Sequence, residues 1–226
     1  MIVLVASAYD VRALRIVADW GSQSAAILSA EDLCRPGWVF QLPLGSPMTA
    51  VIGGRAIPAE QISGVLTLRP CIFPEELWNI QPAHRKYVAA ELNAFLLAWL
   101  SAQSCPVLNR PTACCLAGPN WRPEQWSQAA ERLGIPAPTR RHVPSENTAP
   151  NAEETLEVIA VGEHCFGCDD SILRDRALKL AQASGVDLLS VRFSADRSRL
   201  LSTSVWPSFT DPAVSEAVRQ RLENSR

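Results

Sequence analysis

Five consecutive residues, His164-Cys165-Phe166-Gly167-Cys168, carry the most conspicuous chemical potential: a C-x-x-C pair with a histidine beside it. A zinc knuckle needs four ligands, usually from two such pairs. The other close pair, Cys114-Cys115, is adjacent in sequence and poorly spaced to chelate. A thioredoxin-like redox pair needs its first cysteine at a helix N-terminus after a buried strand. Here Asp169-Asp170-Ser171 supplies the helix cap instead. The pattern reads as a strand-end turn holding small thiols, with no metal and no cofactor expected. Three histidines, and no Ser-His-Asp, H-E-x-x-H, Walker or nucleophile-elbow pattern, leave catalysis little to stand on.

Three charged residues follow strand-like runs. Asp10, with Arg12 beside it, comes after the first run, where α/β sheets bind ligands at their strand C-terminal ends; it serves equally as a helix N-cap. Arg69 and Arg110 end two further runs that should be parallel neighbours. Each either meets an anion at that rim or takes a structural partner, with Glu75, Glu76 and Glu91 available. Arg140-Arg141-His142 is a small basic cluster that reads as solvated surface.

The elements that must position these residues are α/β in the first half. Met1 to Ser7 is an apolar run of strand length, and Asp10 to Trp20 carries apolar residues at helical spacing. Ser24 to Ser29 makes a second strand, so a β-α-β unit opens the chain without a G-x-G-x-x-G turn. Short strands are expected at Trp38 to Leu42, Thr49 to Ile52 and Gly64 to Arg69, with Gly53-Gly54 and Pro58 as punctuation. Residues 83 to 103 form the longest helix, with Tyr87, Leu92, Phe95, Leu96 and Trp99 on its apolar side. A strand at Pro106 to Pro111 and a helix at Arg122 to Leu133 follow, and Ser145 to Glu154 is the best linker. The second half reads as α+β: a strand from Thr155 to His164, a helix from Ser171 to Ala183, strands at Val186 to Phe193 and Leu200 to Trp206, and a terminal helix from Pro212 to Leu222.

Composition narrows the partners. The 226 residues are 47% hydrophobic and 19% charged, enough for a packed core. A net charge of -2 gives no footprint for nucleic acid or an anionic membrane. No apolar run is long enough to span a bilayer and no basic n-region opens the chain, so a cytoplasmic protein with reduced cysteines is expected.

Several stretches resemble the ATP-grasp carboxylate–amine ligases, in their glutathione-synthetase-like branch. Val107-Leu-Asn-Arg-Pro, then Trp121 to Arg132, then Leu133-Gly-Ile-Pro-Ala-Pro-Thr resemble the entrance to the ATP-grasp domain. Ile62 to Pro70 and the helix around Tyr87 to Glu91 look like the domain preceding it. Glu157 to His164 is similar to a core ATP-grasp strand, and Ala177 to Gly185 with Asp187 to Phe193 to the helix and strand that end in an Asp. The resemblance implies an α/β fold: an N-terminal pre-ATP-grasp domain (1–110) followed by a reduced ATP-grasp-like α+β domain (111–226).

The same resemblance locates three departures. Only 18 residues separate Pro138 from Glu157, where active members carry a subdomain that clamps ATP. That subdomain supplies phosphate-binding lysines, and no lysine lies between Lys86 and Lys179. At the positions implied to hold magnesium, Asp has become Arg192, Glu has become Ser204 and Asn has become Trp206. The expectation is therefore a non-catalytic subunit, without cofactor, that pairs with an active ATP-grasp ligase in peptide or cofactor tailoring or forms a homo-oligomer. A stand-alone binding protein of the same fold is the alternative. Asp10, Arg69, Arg110, Arg192 and Trp206 are the candidate ligand or partner contacts. Trp121, Trp126 and Trp206 either line an apolar face left bare by the missing clamp or pack in the core.

Overall fold

A computed structural model describes residues 1–41, 48–137 and 155–223. Its contacts divide the chain into two compact units: residues 1–118 with the segment from Ser215 onward, and residues 119–214. The division falls after Gly118, not Arg110. The turn beyond Arg110 stays with the first unit, its Leu116 N–H bonded to the Pro70 carbonyl at 2.9 Å.

In the first unit, β1 (Ile2–Val5), α1 (Val11–Trp20) and β2 (Ala25–Leu28) form the expected β-α-β unit, with β1 and β2 parallel. All four residues of β1 are buried, which explains their unbroken apolarity. A short helix α2 (Ala30–Leu33) follows, opened by a reciprocal cap between Ser29 and Asp32. Then come β3 (Thr49–Ile52), β4 (Arg55–Pro58), β5 (Gly64–Thr67), the long helix α3 (Arg85–Ser101) and a two-residue β6 (Val107–Leu108). The parallel sheet has the order β2-β1-β5-β6, while β3 and β4 pair as a separate hairpin. Its core joins Val3, Val5, Leu28 and Val65 to Leu96 and Trp99 of α3, with Trp38 set edge-on against Phe95 and Trp99.

Local expectations need four corrections here. Within Trp38 to Leu42 the described residues make only an isolated bridge, Val39 to Thr49. Gly53-Gly54 turns a hairpin, both with positive φ, so Arg55 to Pro58 is a strand that the punctuation concealed. Tyr87 sits on the outer side of α3, 68% exposed, because the buried stripe runs through Ala89, Leu96, Trp99 and Leu100. The expected strand from Pro106 to Pro111 stops at Leu108.

The second unit contains α4 (Pro123–Arg132), β7 (Thr155–Val161), β8 (His164–Phe166), α5 (Ser171–Ser184), β9 (Leu188–Ser194) and β10 (Leu200–Ser204). These strands form an antiparallel sheet in the order β10-β9-β7-β8. The stretch Thr155 to His164 is a hairpin limb and its turn, not one strand. Val158, Ala160, Leu189, Val191 and Phe193 are buried, and α5 packs on β7 and β9. A final helix, α6 (Pro212–Glu223), ends the described chain, and its residues from Ser215 belong to the first unit. There the Trp20 indole donates to Ser215 Oγ at 2.9 Å. A Cβ on Gly64 would meet the Leu222 carbonyl oxygen at 2.6 Å, so only glycine admits this approach of α6 to β5. The cluster Arg140-Arg141-His142 and the linker at 145–154 lie outside the described residues.

Candidate functional site

The carboxyl edge of the parallel sheet gathers three of the expected residues. Asp10, Arg69 and Arg110 follow β1, β5 and β6, which are neighbours in the sheet. Strand order reverses between β1 and β5, the kind of switch point where open α/β sheets bind ligands. Asp10 caps α1, accepting from the Arg12 and Ala13 amides and pairing with the Arg12 guanidinium at 3.0 Å. Burial pushes its carboxyl up, but the hydrogen bonds from Arg12 and Ala13 and the Arg12 charge hold it below the usual range. Arg110 is exposed.

Arg69 is buried, 5% exposed. Its Nε donates to the Cys71 carbonyl at 2.7 Å, and its Nη2 donates to the Glu76 carboxylate. The Phe73 amide reaches the same Glu76 oxygen at 3.0 Å. Phe73 also lies under the guanidinium, 5.9 Å from ring centroid to Cζ. Two polar atoms on this strand end have no hydrogen-bond partner among the described residues: Arg69 Nη1 and Thr67 Oγ1. Thr67 and Arg69 are two residues apart on a chain that continues the ladder through Leu68 N–H to Val5 O at 3.0 Å. In extended chain that spacing aims both side chains to one side. Nothing in the sequence marks Thr67, one threonine in an apolar run.

In the second unit, Arg192 and Trp206 end up in different networks. Arg192 lies on β9 directly opposite Glu157 of β7. Its Nε is 3.8 Å from Glu157 Oε1, and the same oxygen accepts from Ser190 Oγ at 2.6 Å. Trp206 follows β10 in a tight turn: its amide donates to Ser204 Oγ at 3.1 Å, and that hydroxyl donates to the Trp206 carbonyl at 3.2 Å. The Trp206 indole nitrogen is buried without a partner among the described residues.

The C-x-x-C stretch falls on β8 and the turn before α5. Gly167 holds positive φ against β7, where a Cβ would meet the Glu157 carbonyl at 2.6 Å. Asp170 caps α5, accepting from the Ile172 and Leu173 amides. Arg174 donates to the Cys168 carbonyl at 2.6 Å, and Cys165 Sγ to the Arg174 carbonyl at 3.7 Å. Among the described residues no group of three or more His, Cys, Asp or Glu is arranged to hold a metal. All seven cysteines are free; Cys115 is buried, Cys114 exposed and the other five half-buried.

Of the two readings of these tryptophans, packing in the core is the one that fits Trp126. Trp126 is 7% exposed and meets half-buried Trp121 edge-on, ring centroids 4.7 Å apart. The most exposed aromatic side chains are Tyr9, Phe73, Trp78 and Tyr87, all in the first unit. No helix among the described residues is long and apolar enough to cross a membrane.

No protein-family model and no curated protein matches the sequence. Solved structures do match in fold. The macrocyclase MdnC bound with precursor peptide MdnA, from Microcystis aeruginosa MRC, superimposes with a TM-score of 0.68 at 12% identity, covering 100% of both chains. The macrocyclase MdnB of the same organism gives 0.69 at 15% identity over 99% of each chain. The ATP-grasp ligase PsnB, complexed with minimal precursor, Mg and ADP, gives 0.71 at 12% identity over 99% of this chain and 98% of that one. The chain has the mixed α/β fold of the ATP-grasp ligases.

Proposed function

We propose that this chain is a non-catalytic, reduced relative of the peptide-tailoring ATP-grasp ligases, working as a subunit beside an active ligase of that kind. The observation that carries the reading is the Arg192–Glu157–Ser190 network. By the resemblance, Arg192 stands where the ligases place a magnesium-binding Asp, and Ser204 and Trp206 stand where they place Glu and Asn. Mg²⁺ requires hard oxygen ligands in near-octahedral array. A guanidinium repels the ion, an indole cannot ligate it, and the Ser204 hydroxyl is engaged by its own turn. These residues do not suit magnesium-bound nucleotide. The absence of any lysine between Lys86 and Lys179 points the same way, since polyphosphate needs fixed cationic donors. The substrate class comes from the structural neighbours, which are named as macrocyclases and ligases of precursor peptides.

The test has two arms. Calorimetric titration with Mg-ATP should reveal no binding with a Kd below about 100 μM, roughly 5.5 kcal/mol. The full chain, co-expressed with an active ATP-grasp ligase from its own host and that ligase's precursor peptide, should co-elute with that ligase and raise its turnover. Tight Mg-ATP binding overturns the non-catalytic reading; host ATP-grasp ligases that neither co-elute with the chain nor gain turnover from it overturn the subunit reading.

A second reading, a stand-alone binder of a small carboxylate, is favoured by Arg69 Nη1 and Thr67 Oγ1, two buried polar atoms at the switch-point edge that have no hydrogen-bond partner among the described residues. In that case the isolated chain binds the acid, and Arg69→Met removes the binding.

A further inference from the structure

The strand end that carries Arg69 continues to Cys71, and a second cysteine comes back to meet it. β5 and β6 run parallel, and the ladder of β5 extends past its last residue through Leu68 N–H to Val5 O. Beyond β6 the chain reverses: Thr112 and Cys115 exchange both backbone hydrogen bonds, at 2.9 and 3.2 Å, in an antiparallel bridge that closes a tight turn. The returning limb bonds to the strand end through Leu116 N–H to Pro70 O at 2.9 Å. It runs opposite to β6, and so antiparallel to the end of β5. One step beyond a bonded pair in an antiparallel arrangement lies a non-hydrogen-bonded pair, its Cα atoms about 4.5 Å apart, within the roughly 4.4–6.8 Å that a disulfide spans. Cys71 and Cys115 occupy that step. The pairing is one bond long, because Ile72 N–H turns away to Asn93 Oδ1 at 2.9 Å. Both thiols are free, Cys71 half-buried and Cys115 buried. They sense each other: burial pushes the Cys115 thiol up, and a charge on Cys71 adds to that push. Cys114 is in the turn itself and exposed.

We propose that Cys71 and Cys115 form an oxidation site: a peroxide joins them in a disulfide that fastens the 112–117 turn to the strand end bearing Arg69. Cys71, the more accessible of the two, reacts first. Its sulfur attacks one peroxide oxygen, the O–O bond breaks, and the other oxygen leaves as water, so that Cys71 becomes a sulfenic acid. The Cys115 sulfur then attacks the Cys71 sulfur, the S–O bond breaks, and a second water leaves with the Cys115 proton. Two thiols and one hydrogen peroxide thus give one disulfide and two waters, two electrons passing from sulfur to oxygen. Burial holds Cys71 back, while the Arg69 guanidinium favours its thiolate. Cys115 needs no access to solvent, because the sulfur it attacks comes from the neighbouring strand end. Arg69 Nε donates to the Cys71 carbonyl at 2.7 Å, so the bond is made at the residue that anchors Arg69. The pair involves neither Arg192 nor nucleotide, and it stands or falls separately from the function proposed above.

The full chain, reduced and then freed of reductant, is treated with hydrogen peroxide at neutral pH, quenched with iodoacetamide, digested without reduction and mapped by mass spectrometry. A peptide pair linked through Cys71 is expected, formed at a rate independent of protein concentration and lost on adding dithiothreitol. Cys114 and Cys115 share a peptide, so variants assign the partner: Cys114→Ser should keep the link and Cys115→Ala should remove it. Cys71→Ser, at a half-buried position, should remove it too, so the assignment does not depend on how well the buried variant folds. Hydrogen exchange at the Leu116 amide should slow on oxidation and recover on reduction. Recovery of Cys71 without any link overturns the proposal. So does a link to Cys114 that survives Cys115→Ala, or one that forms only in proportion to protein concentration.

Discussion

Arg192 and Glu157 face each other across neighbouring antiparallel strands, Nε to Oε1 at 3.8 Å, with Ser190 Oγ bonded to the same carboxylate oxygen. The Arg192 side chain is 57% exposed, so the pair lies in the solvent-screened range where ion pairs contribute about 0–1 kcal/mol. Replacing the arginine with alanine should therefore shift the melting temperature only slightly. Arg192→Glu is different, because it sets two carboxylates directly opposite one another. The expected loss is up to about 1 kcal/mol, reduced by added salt, and thermal melts at two ionic strengths measure it.

Arg69 presents the buried counterpart of that pair. Glu76→Ala leaves a guanidinium buried without its carboxylate, and breaking such a pair costs about 3–5 kcal/mol. Glu76 is partly exposed, so the lower end of that range applies. Urea unfolding should show the loss for Glu76→Ala and a substantial recovery in the double variant Arg69→Met/Glu76→Leu. A double variant no more stable than Glu76→Ala would show that the charge was never the problem.

Gly64→Ala should destabilise by about 1–3 kcal/mol, the usual cost of overpacking. The added methyl is met by backbone of Leu222, which has no rotamer to escape into. Deleting the segment from Ser215 onward should abolish the penalty of Gly64→Ala. Denaturant midpoints of the full and shortened chains, each with and without the substitution, test it.

The carboxyl of Asp196 is held down to about 2 by hydrogen bonds from the Ser194 hydroxyl, then the Ser198 amide and hydroxyl. Its folded value lies below the unfolded one, so its contribution to stability is fully present above about pH 4 and is lost as pH falls through about 2. Carbon-detected NMR titration should place the midpoint near 2 in the native chain and move it upward in Ser194→Ala.

Cysteine reactivity should separate sharply by site. Burial pushes the Cys105, Cys115 and Cys165 thiols up, which keeps them protonated and slow at neutral pH. Cys114 is exposed. Brief treatment with iodoacetamide at pH 7, read by peptide mass mapping, should label Cys114 first and Cys115 only after unfolding.

Some of this structure can be read directly from the chain, and the reason is local. The apolar run of β1, the Asp10 and Asp170 caps and the helical spacing of α1 and α5 all depend on residues a few positions apart. What stays hidden depends on register. Glu157 and Arg192 are far apart in sequence, and only the pairing of β7 with β9 makes them neighbours. The sequence offers Glu75, Glu76 and Glu91 to Arg69; the 3₁₀ turn Pro74–Glu76 is what delivers Glu76. Tyr87 misleads because an aromatic ring suggests burial, whereas α3 turns it outward. The cavity between α4 and β10, lined by Trp121 and Trp126, has no linear signature, since β10 supplies half its wall from far along the chain.

The return of α6 to the first unit imposes an order on biosynthesis. The ribosome completes β5 early, yet the residue that Gly64 is shaped to receive, Leu222, emerges only after the whole second unit has been made. At about 5–20 residues per second, the delay between Gly118 and Ser215 is roughly 5–20 seconds. Throughout that interval the nascent first unit lacks its closing segment, and by its end the second unit has every strand of its own sheet. The later-made unit is thus the one free to finish folding first.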